Sequence, residues 1–114
     1  MPSHLEFTAA AAPTTVSRAI EEYARGQGTV TAIVVPWESA GGALSMAVTS
    51  VRADGWAIAH TNLGTIRLTG LEGDRSRVAI APAESASENP EGPQLALVFD
   101  RFARELQQRF EVAS

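Results

Sequence analysis

The chain of 114 residues contains no cysteine, no lysine and only two histidines, His4 and His60. The missing cysteine excludes disulfides, thiolate nucleophiles and zinc–thiolate sites, and two imidazoles do not favour a structural zinc site. The missing lysine excludes Schiff-base chemistry and lysine-dependent phosphate loops. We therefore expect no metal and no cofactor.

Basic charge and long apolar runs are also scarce. Nine arginines against 13 acidic residues give a net charge of −4, the opposite of the dense basic stripe that phosphate binding needs. No apolar run approaches the roughly 18 residues of a transmembrane helix. The start, "MPSHLEFTAAAAPTT", lacks the charged and apolar regions of a secretory signal. The sequence predicts a cytoplasmic protein without a membrane span or a nucleic-acid partner, and its richness in alanine and arginine is typical of GC-rich bacteria.

The length predicts one domain over residues 1–114, and its first half reads as strand, helix and two strands. "HLEFT" alternates like a strand. Thr14 is the expected N-cap of a helix that Gly26 ends, and its buried stripe is Val16, Ala19, Ile20 and Tyr23. The strands "GTVTAIVVPW" and "ALSMAVTSVRA" follow.

The second half ends in the longest helical pattern of the chain. "RVAIAP" predicts a late strand after the turn "EGD", and the acidic residues 84–93 predict an exposed loop. "QLALVFDRFARELQQRFEVA" then predicts a helix with one apolar stripe, formed by Leu95, Val98, Phe99, Phe102, Leu106 and Phe110. The predicted fold is α+β: an antiparallel meander of about five to six strands, with both helices packed on one face.

The stretch "GWAIAHTNLGTIRLTG" is predicted to be a β-hairpin with a three-residue loop, "NLG". Gly64 would adopt the left-handed conformation in this loop, so that His60 opposes Ile66 and Ile58 opposes Leu68. This register separates an apolar face from a polar one, whereas a two-residue loop would mix them. The apolar face would carry Trp56, Ile58, His60, Ile66 and Leu68, and the other face Ala57, Ala59, Thr61, Thr65, Arg67 and Thr69.

The preceding turn, "ADG", leaves two registers open. A three-residue loop would place Ser50 opposite Ile58 and Val48 opposite His60. A two-residue turn at Asp54 and Gly55 would pair Val51 with Ile58 instead. In both registers His60 is expected on the side of the sheet that the helices cover.

The candidate ligand-binding residues all belong to this apolar side. His60 could act there as a hydrogen-bonding group or general base of a pocket, or it could be a histidine at the rim of the core. We favour the core-rim interpretation and assign no catalytic residue, because the sequence offers His60 no carboxylate or hydroxyl partner. The predicted ligand-binding set is Met46, Trp56, Ile58, His60, Phe99 and Phe102.

The reverse side of the predicted sheet is rich in alanine and threonine. If both helices cover the Trp56 side, this reverse side is open to water or covered by a second subunit. A flat surface of small residues suits sheet-to-sheet packing. Self-association through this side is therefore a second expectation.

Three segments together resemble the START and Bet v 1-like (SRPBCC) helix-grip proteins, in reduced form. They are "HLEFTAAAAPTTV" at the front, "DRSRVAIAP" as the late strand, and "LALVFDRFARELQQRF" as the gripping helix. The resemblance implies an antiparallel sheet wrapped around the last helix, with a hydrophobic ligand such as a lipid or polyketide held between them. The chain has one N-terminal helix where that family typically has a pair.

These observations leave three functional hypotheses. The first, which the resemblance favours, is a non-catalytic domain that binds a hydrophobic small molecule or lipid between sheet and C-terminal helix. The second is an oligomeric interaction or regulatory module with a filled core. The third is an enzyme that uses His60, which the sequence favours least.

Overall fold

A computed structural model describes residues 5–28, 30–35, 43–54, 57–82 and 92–111. The elements are β1 (Leu5–Ala9), α1 (Pro13–Gln27), β2 (Val30–Val34), β3 (Ala43–Asp54), β4 (Ala57–Leu71), β5 (Arg75–Pro82) and α2 (Gly92–Phe110). This order confirms the predicted α+β class and the strand count at its lower bound of five.

The five strands form one antiparallel sheet in the order β1-β5-β4-β3-β2. Strands β2 to β5 are a meander, and β1 joins its far edge by pairing with β5. The two edge strands, β1 and β2, therefore run parallel to each other, and α1 connects them across the sheet. After the end of α2, Glu111 forms an isolated bridge with Ala9 of β1. The two ends of the described chain are therefore held at the same edge of the sheet.

Both helices pack on one face of the sheet, which we call the inner face. Its side chains and the facing helical residues form a single core, in which Ile20, Met46, Ile66, Leu68, Val78, Ile80 and Leu106 are fully buried. Of the stripe predicted for α2, Phe99, Phe102 and Leu106 are buried, whereas Val98 remains 39% exposed. At roughly 1.5–3 kcal/mol for each fully buried large apolar side chain, this core is the main stabilising feature of the fold.

The two ends of α1 differ from the prediction. Ala12 is the N-cap and Pro13 is the first helical residue, so the expected cap at Thr14 is wrong. Proline fits the first position because it has no amide hydrogen to lose and its φ is already helical. At the other end the helix continues through Gly26 and ends at Gly28, whose φ of 76° is left-handed. The predicted stop was therefore two residues early.

The predicted hairpin at "NLG" is also wrong, because residues 57–71 form one continuous strand, β4. Gly64 lies within this strand and is buried. A Cβ atom at this position would overlap the carbonyl oxygen of Ala81 and the ring of Phe99. Glycine at position 64 is therefore explained by the close approach of a helix side chain and a neighbouring strand, where the sequence suggested a turn.

The pairing of β3 with β4 shifts by one residue at Leu63, as in a β-bulge. Val48 pairs with Gly64, whereas Thr49 pairs with Asn62. Leu63 is buried at 1% exposure, while Asn62 is exposed. The alternation of β4 residues between the two sides of the sheet therefore changes phase at Leu63. As a result, the two faces predicted for residues 65–69 do not continue into residues 57–62.

The turn between β3 and β4 has a register that neither alternative anticipated. Asp54 pairs with Ala57, Ala53 with Ile58 and Val51 with His60. Both predicted pairings of Ile58, with Ser50 or with Val51, are therefore wrong, as is the pairing of Val48 with His60. The paired strands extend as far as Asp54 and Ala57, farther than "ADG" suggested, and residues 55 and 56 lie outside the described part.

The late elements follow the prediction more closely. The predicted turn lies at residues 72–74, where Gly73 and Asp74 have positive φ values of 74° and 53°. Of the predicted loop 84–93, residues 84–91 lie outside the described part, and Gly92 and Pro93 already belong to α2. The helix ends at Phe110, three residues before the predicted end.

Candidate functional site

Three of the six predicted ligand-binding residues meet in the core. Met46, Phe99 and Phe102 are 0%, 5% and 3% exposed, respectively, and belong to one apolar cluster on the inner face. The ring of Phe99 packs so tightly on Gly64 that a methyl group at position 64 would not fit between them. At this point, the space between sheet and α2 is filled by protein side chains.

The side chains of the other three predicted residues lie outside the described part of the structure. Trp56 lies outside the described residues. Ile58 and His60 belong to β4, where the backbone register places them opposite Ala53 and Val51, but their side chains lie outside the described part. The ligand-binding role of these three residues stays a prediction.

An open groove of about 530 Å³ lies between the two helices. It is bounded by the end of α1, the start of β2 and the middle of α2. The lining residues are Gln27, Val30, Leu97, Val98, Asp100, Arg101, Phe102 and Glu105. Phe102 is the only one of these that the sequence singled out as a ligand-binding residue.

The groove has an apolar wall that is exposed to solvent. Leu97 is 70% exposed and Val98 is 39% exposed, and the buried Val30 and Phe102 lie beside them in the same lining. Leu97 lies outside the apolar stripe of α2, so the helical periodicity gives no packing reason for a leucine there. The sequence signal for this wall was the apolar run "LALVF", which is broader than a single stripe.

A seam of polar and aromatic contacts joins the two helices at one end of the groove. The Tyr23 hydroxyl donates a hydrogen bond to Glu105 Oε2, and the Tyr23 ring stacks on Phe102 with a centroid separation of 5.8 Å. The guanidinium carbon of Arg109 lies 4.5 Å from the centre of the Tyr23 ring. These contacts fix the positions of Phe102 and Glu105, two of the groove residues.

The environment of Tyr23 changes its acidity. Desolvation and the hydrogen bond and negative charge of Glu105 raise the pKa of Tyr23 above its usual value of 10.0, and the neighbouring Arg109 opposes this shift in part. The phenol therefore stays protonated and donates its hydrogen bond to Glu105 throughout the neutral pH range. Because a raised pKa disfavours the phenolate, Tyr23 is not a candidate nucleophile or base.

The opposite side of the sheet, which we call the outer face, has neither of the described helices packed on it, although Ser45, which pairs with Arg67 on this side, is buried. Its residues include Thr31, Ile33, Ala47, Thr49, Thr65, Arg67, Thr69, Arg77, Ala79 and Ala81. Ile33, on edge strand β2, is 59% exposed, and the hydroxyls of Thr31 and Thr49 are 2.6 Å apart. The predicted placement of Thr65, Arg67 and Thr69 on this side is confirmed, because all three are exposed.

The described residues form no cluster of three or more His, Asp or Glu side chains that could hold a metal ion. Neither of the described helices is long and apolar enough to cross a membrane. A smaller depression of about 280 Å³ lies between the end of β1 and the start of α1 and is lined partly by Ala10, Thr15 and Arg109. The groove between the helices is thus both larger and richer in exposed apolar side chains.

Comparisons with protein-family models, with curated proteins and with solved structures find no match for this chain.

Proposed function

We propose that the chain is a non-catalytic domain that binds a small hydrophobic molecule or lipid in the groove beside its C-terminal helix. The observation that carries this proposal is the solvent-exposed wall of Leu97 and Val98 inside a groove of about 530 Å³. Sites for small molecules usually have volumes of roughly 300–1,000 Å³ and are mostly apolar. We place the domain in the cytoplasm as part of the same proposal.

The topology supports this proposal through the helix-grip resemblance. In the order β1-β5-β4-β3-β2 the two edge strands are joined by a helix, and a long C-terminal helix packs on the same face. This is the arrangement expected of a reduced helix-grip domain. Of the predicted ligand-binding residues, Phe102 would contact the ligand, and Met46 and Phe99 would form the core behind it.

The magnitude of the expected binding contribution follows from the exposure of Leu97. Complete burial of a leucine side chain contributes about 2 kcal/mol, so covering the 70% that is exposed contributes at most about 1.4 kcal/mol. This corresponds to a factor of about ten in affinity. A ligand that covers Leu97 should therefore lose up to about tenfold in affinity when this side chain is made polar.

The test is fluorescence titration with N-phenyl-1-naphthylamine, a neutral apolar probe that fluoresces strongly when it leaves water. We expect saturable binding that Leu97→Gln weakens by up to about tenfold. The control is Ile33→Gln, which changes an apolar side chain on the outer face that is 59% exposed, and it should leave binding unchanged. No saturable binding, or equal losses in both variants, would overturn the proposal.

A second candidate function is self-association through the outer face. This candidate is favoured because no helix in the described part of the chain covers that face. The five strands are nine residues long on average, so at about 4.8 Å between strands and about 3.3 Å per residue the face measures roughly 20 Å by 30 Å, or about 600 Å² per partner. This is less than the roughly 800 Å² per partner in a standard stable interface. We therefore rank a weak dimer below ligand binding.

Sedimentation at increasing protein concentration tests the dimer. Ala79 lies on the outer face in register with Arg67 of β4 and Glu6 of β1. We expect a weak concentration-dependent dimer that Ala79→Arg abolishes. A monomer at all concentrations would refute self-association and leave the ligand-binding proposal unaffected.

A further inference from the structure

The groove contains three charged side chains, and two of them already have partners within the protein. Asp100 Oδ2 accepts a hydrogen bond from Arg104 Nε at 2.9 Å. Glu105 Oε2 accepts the hydroxyl hydrogen of Tyr23. Within the described part of the chain, the guanidinium of Arg101 has no ion-pair or hydrogen-bond partner. Arg101 is therefore the groove cation whose hydrogen-bond donors are free for a ligand, although Glu105 keeps its negative charge and the chain as a whole is acidic.

Arg101 lies beside the apolar wall. It follows Leu97 by four residues and Val98 by three, so its side chain belongs to the same side of α2, about one turn farther along the helix. Val30 and Phe102 complete the apolar part of the lining. A hydrocarbon group and an anionic group can consequently be bound within about 6 Å of each other, which is the spacing between neighbouring side chains on one helix face.

We infer that the groove takes an amphiphile with an anionic head group, with the anion bound by Arg101 and the hydrocarbon part packed against Leu97, Val98 and Phe102. This inference rests on the proposed function and adds the chemical class of the ligand. A carboxylate is the group that we test, because the guanidinium fork matches its two oxygens and forms charge-assisted hydrogen bonds. A cationic head group beside the apolar wall would instead be repelled by the charge of Arg101.

The test is the displacement of bound N-phenyl-1-naphthylamine by a matched pair of competitors, decanoate and 1-decanol, at pH 8 and low ionic strength. The two have chains of the same length and differ in the head group. For Arg101→Gln we expect decanoate to compete about five- to tenfold more weakly, while the competition by 1-decanol is unchanged. In the unaltered protein, added sodium chloride should weaken competition by decanoate and not by 1-decanol.

The control variant is Arg18→Gln, which removes the same charge from an exposed position on α1 that does not line the groove. It should leave decanoate binding unchanged, which separates a local contact from a change in net charge. If Arg101→Gln leaves decanoate unaffected, or weakens both competitors equally, the inference is wrong while the proposed function stands. If the probe does not bind to the unaltered protein, the proposed function fails first, and this inference with it.

Discussion

Replacing Gly64 with alanine is the most informative perturbation of the fold, because two different structures predict different outcomes for it. In the observed fold Gly64 lies within β4, and a Cβ atom would overlap the Ala81 carbonyl oxygen and the ring of Phe99. The ring could move aside. The carbonyl oxygen belongs to the adjacent strand β5, so moving it would disturb the pairing of β4 with β5.

The expected loss of stability is large for a single methyl group. Overpacking a well-filled core costs about 1–3 kcal/mol, and the rigid backbone atom places this case near the upper end. The reduced freedom of the unfolded chain offsets about 0.4–1 kcal/mol. The free energy of unfolding should therefore fall by about 2 kcal/mol. With an unfolding entropy of about 2.1 cal/mol/K per residue over 114 residues, the melting temperature should fall by about 8 °C.

Thermal unfolding followed by circular dichroism measures this shift, and two further glycine variants calibrate it. Gly26→Ala lies inside α1 with nothing near the new methyl group, so helix propensity should stabilise the protein by about 1 kcal/mol. Gly64→Asn should be worse than Gly64→Ala in a packed strand, but better in a left-handed turn, which asparagine tolerates. If Gly64→Asn is the milder change, the reasoning about β4 is refuted.

Three further outcomes are expected. Gly28→Ala should destabilise by about 1 kcal/mol in denaturant titrations, because its φ of 76° disfavours a side chain; an unchanged midpoint would contradict the position of the helix end. Ser76→Ala should cost about 1–2 kcal/mol in the same assay, because the fully buried hydroxyl donates a 2.6 Å hydrogen bond to a backbone carbonyl; a loss no larger than that of an exposed serine would contradict the burial. Tyr23 is the only tyrosine, so ultraviolet titration should show its pKa above 10.0, and Glu105→Gln should lower this pKa. The contribution of the protonated Tyr23 to the free energy of unfolding is present below pH 10 and is lost as the pH rises through the folded-state pKa.

The elements that the sequence predicted well are those in which periodicity alone determines the structure. The stripe of α2 placed Phe99, Phe102 and Leu106 in the core correctly. The alternation of "HLEFT" predicted the strand β1. Two of the errors occurred at glycines. Glycine is the residue type expected at the end of a helix and in a turn. However, Gly26 lies inside α1, and Gly64 lies beneath the ring of Phe99. A local pattern cannot distinguish a glycine required by φ from one required by a neighbouring element distant in sequence.

The groove was missed for a related reason. The sequence placed the ligand between the sheet and the aromatic residues of α2, because the largest apolar side chains lie there. The groove depends instead on how far α1 and α2 are separated, which no local pattern encodes. Leu97 was visible in the sequence only as a leucine outside the stripe, and Arg101 only as one of nine arginines.

The measurement that tests the account most directly is a ¹⁵N–¹H correlation spectrum of the labelled protein, recorded during titration with decanoate. We predict saturable shifts of the backbone amides of Val30 and of residues 97–105, which border the groove. The amides of Thr65 and Thr69, on the outer face, should not move. Shifts centred on the outer face, or no saturable shift in residues 97–105, would contradict the proposed site.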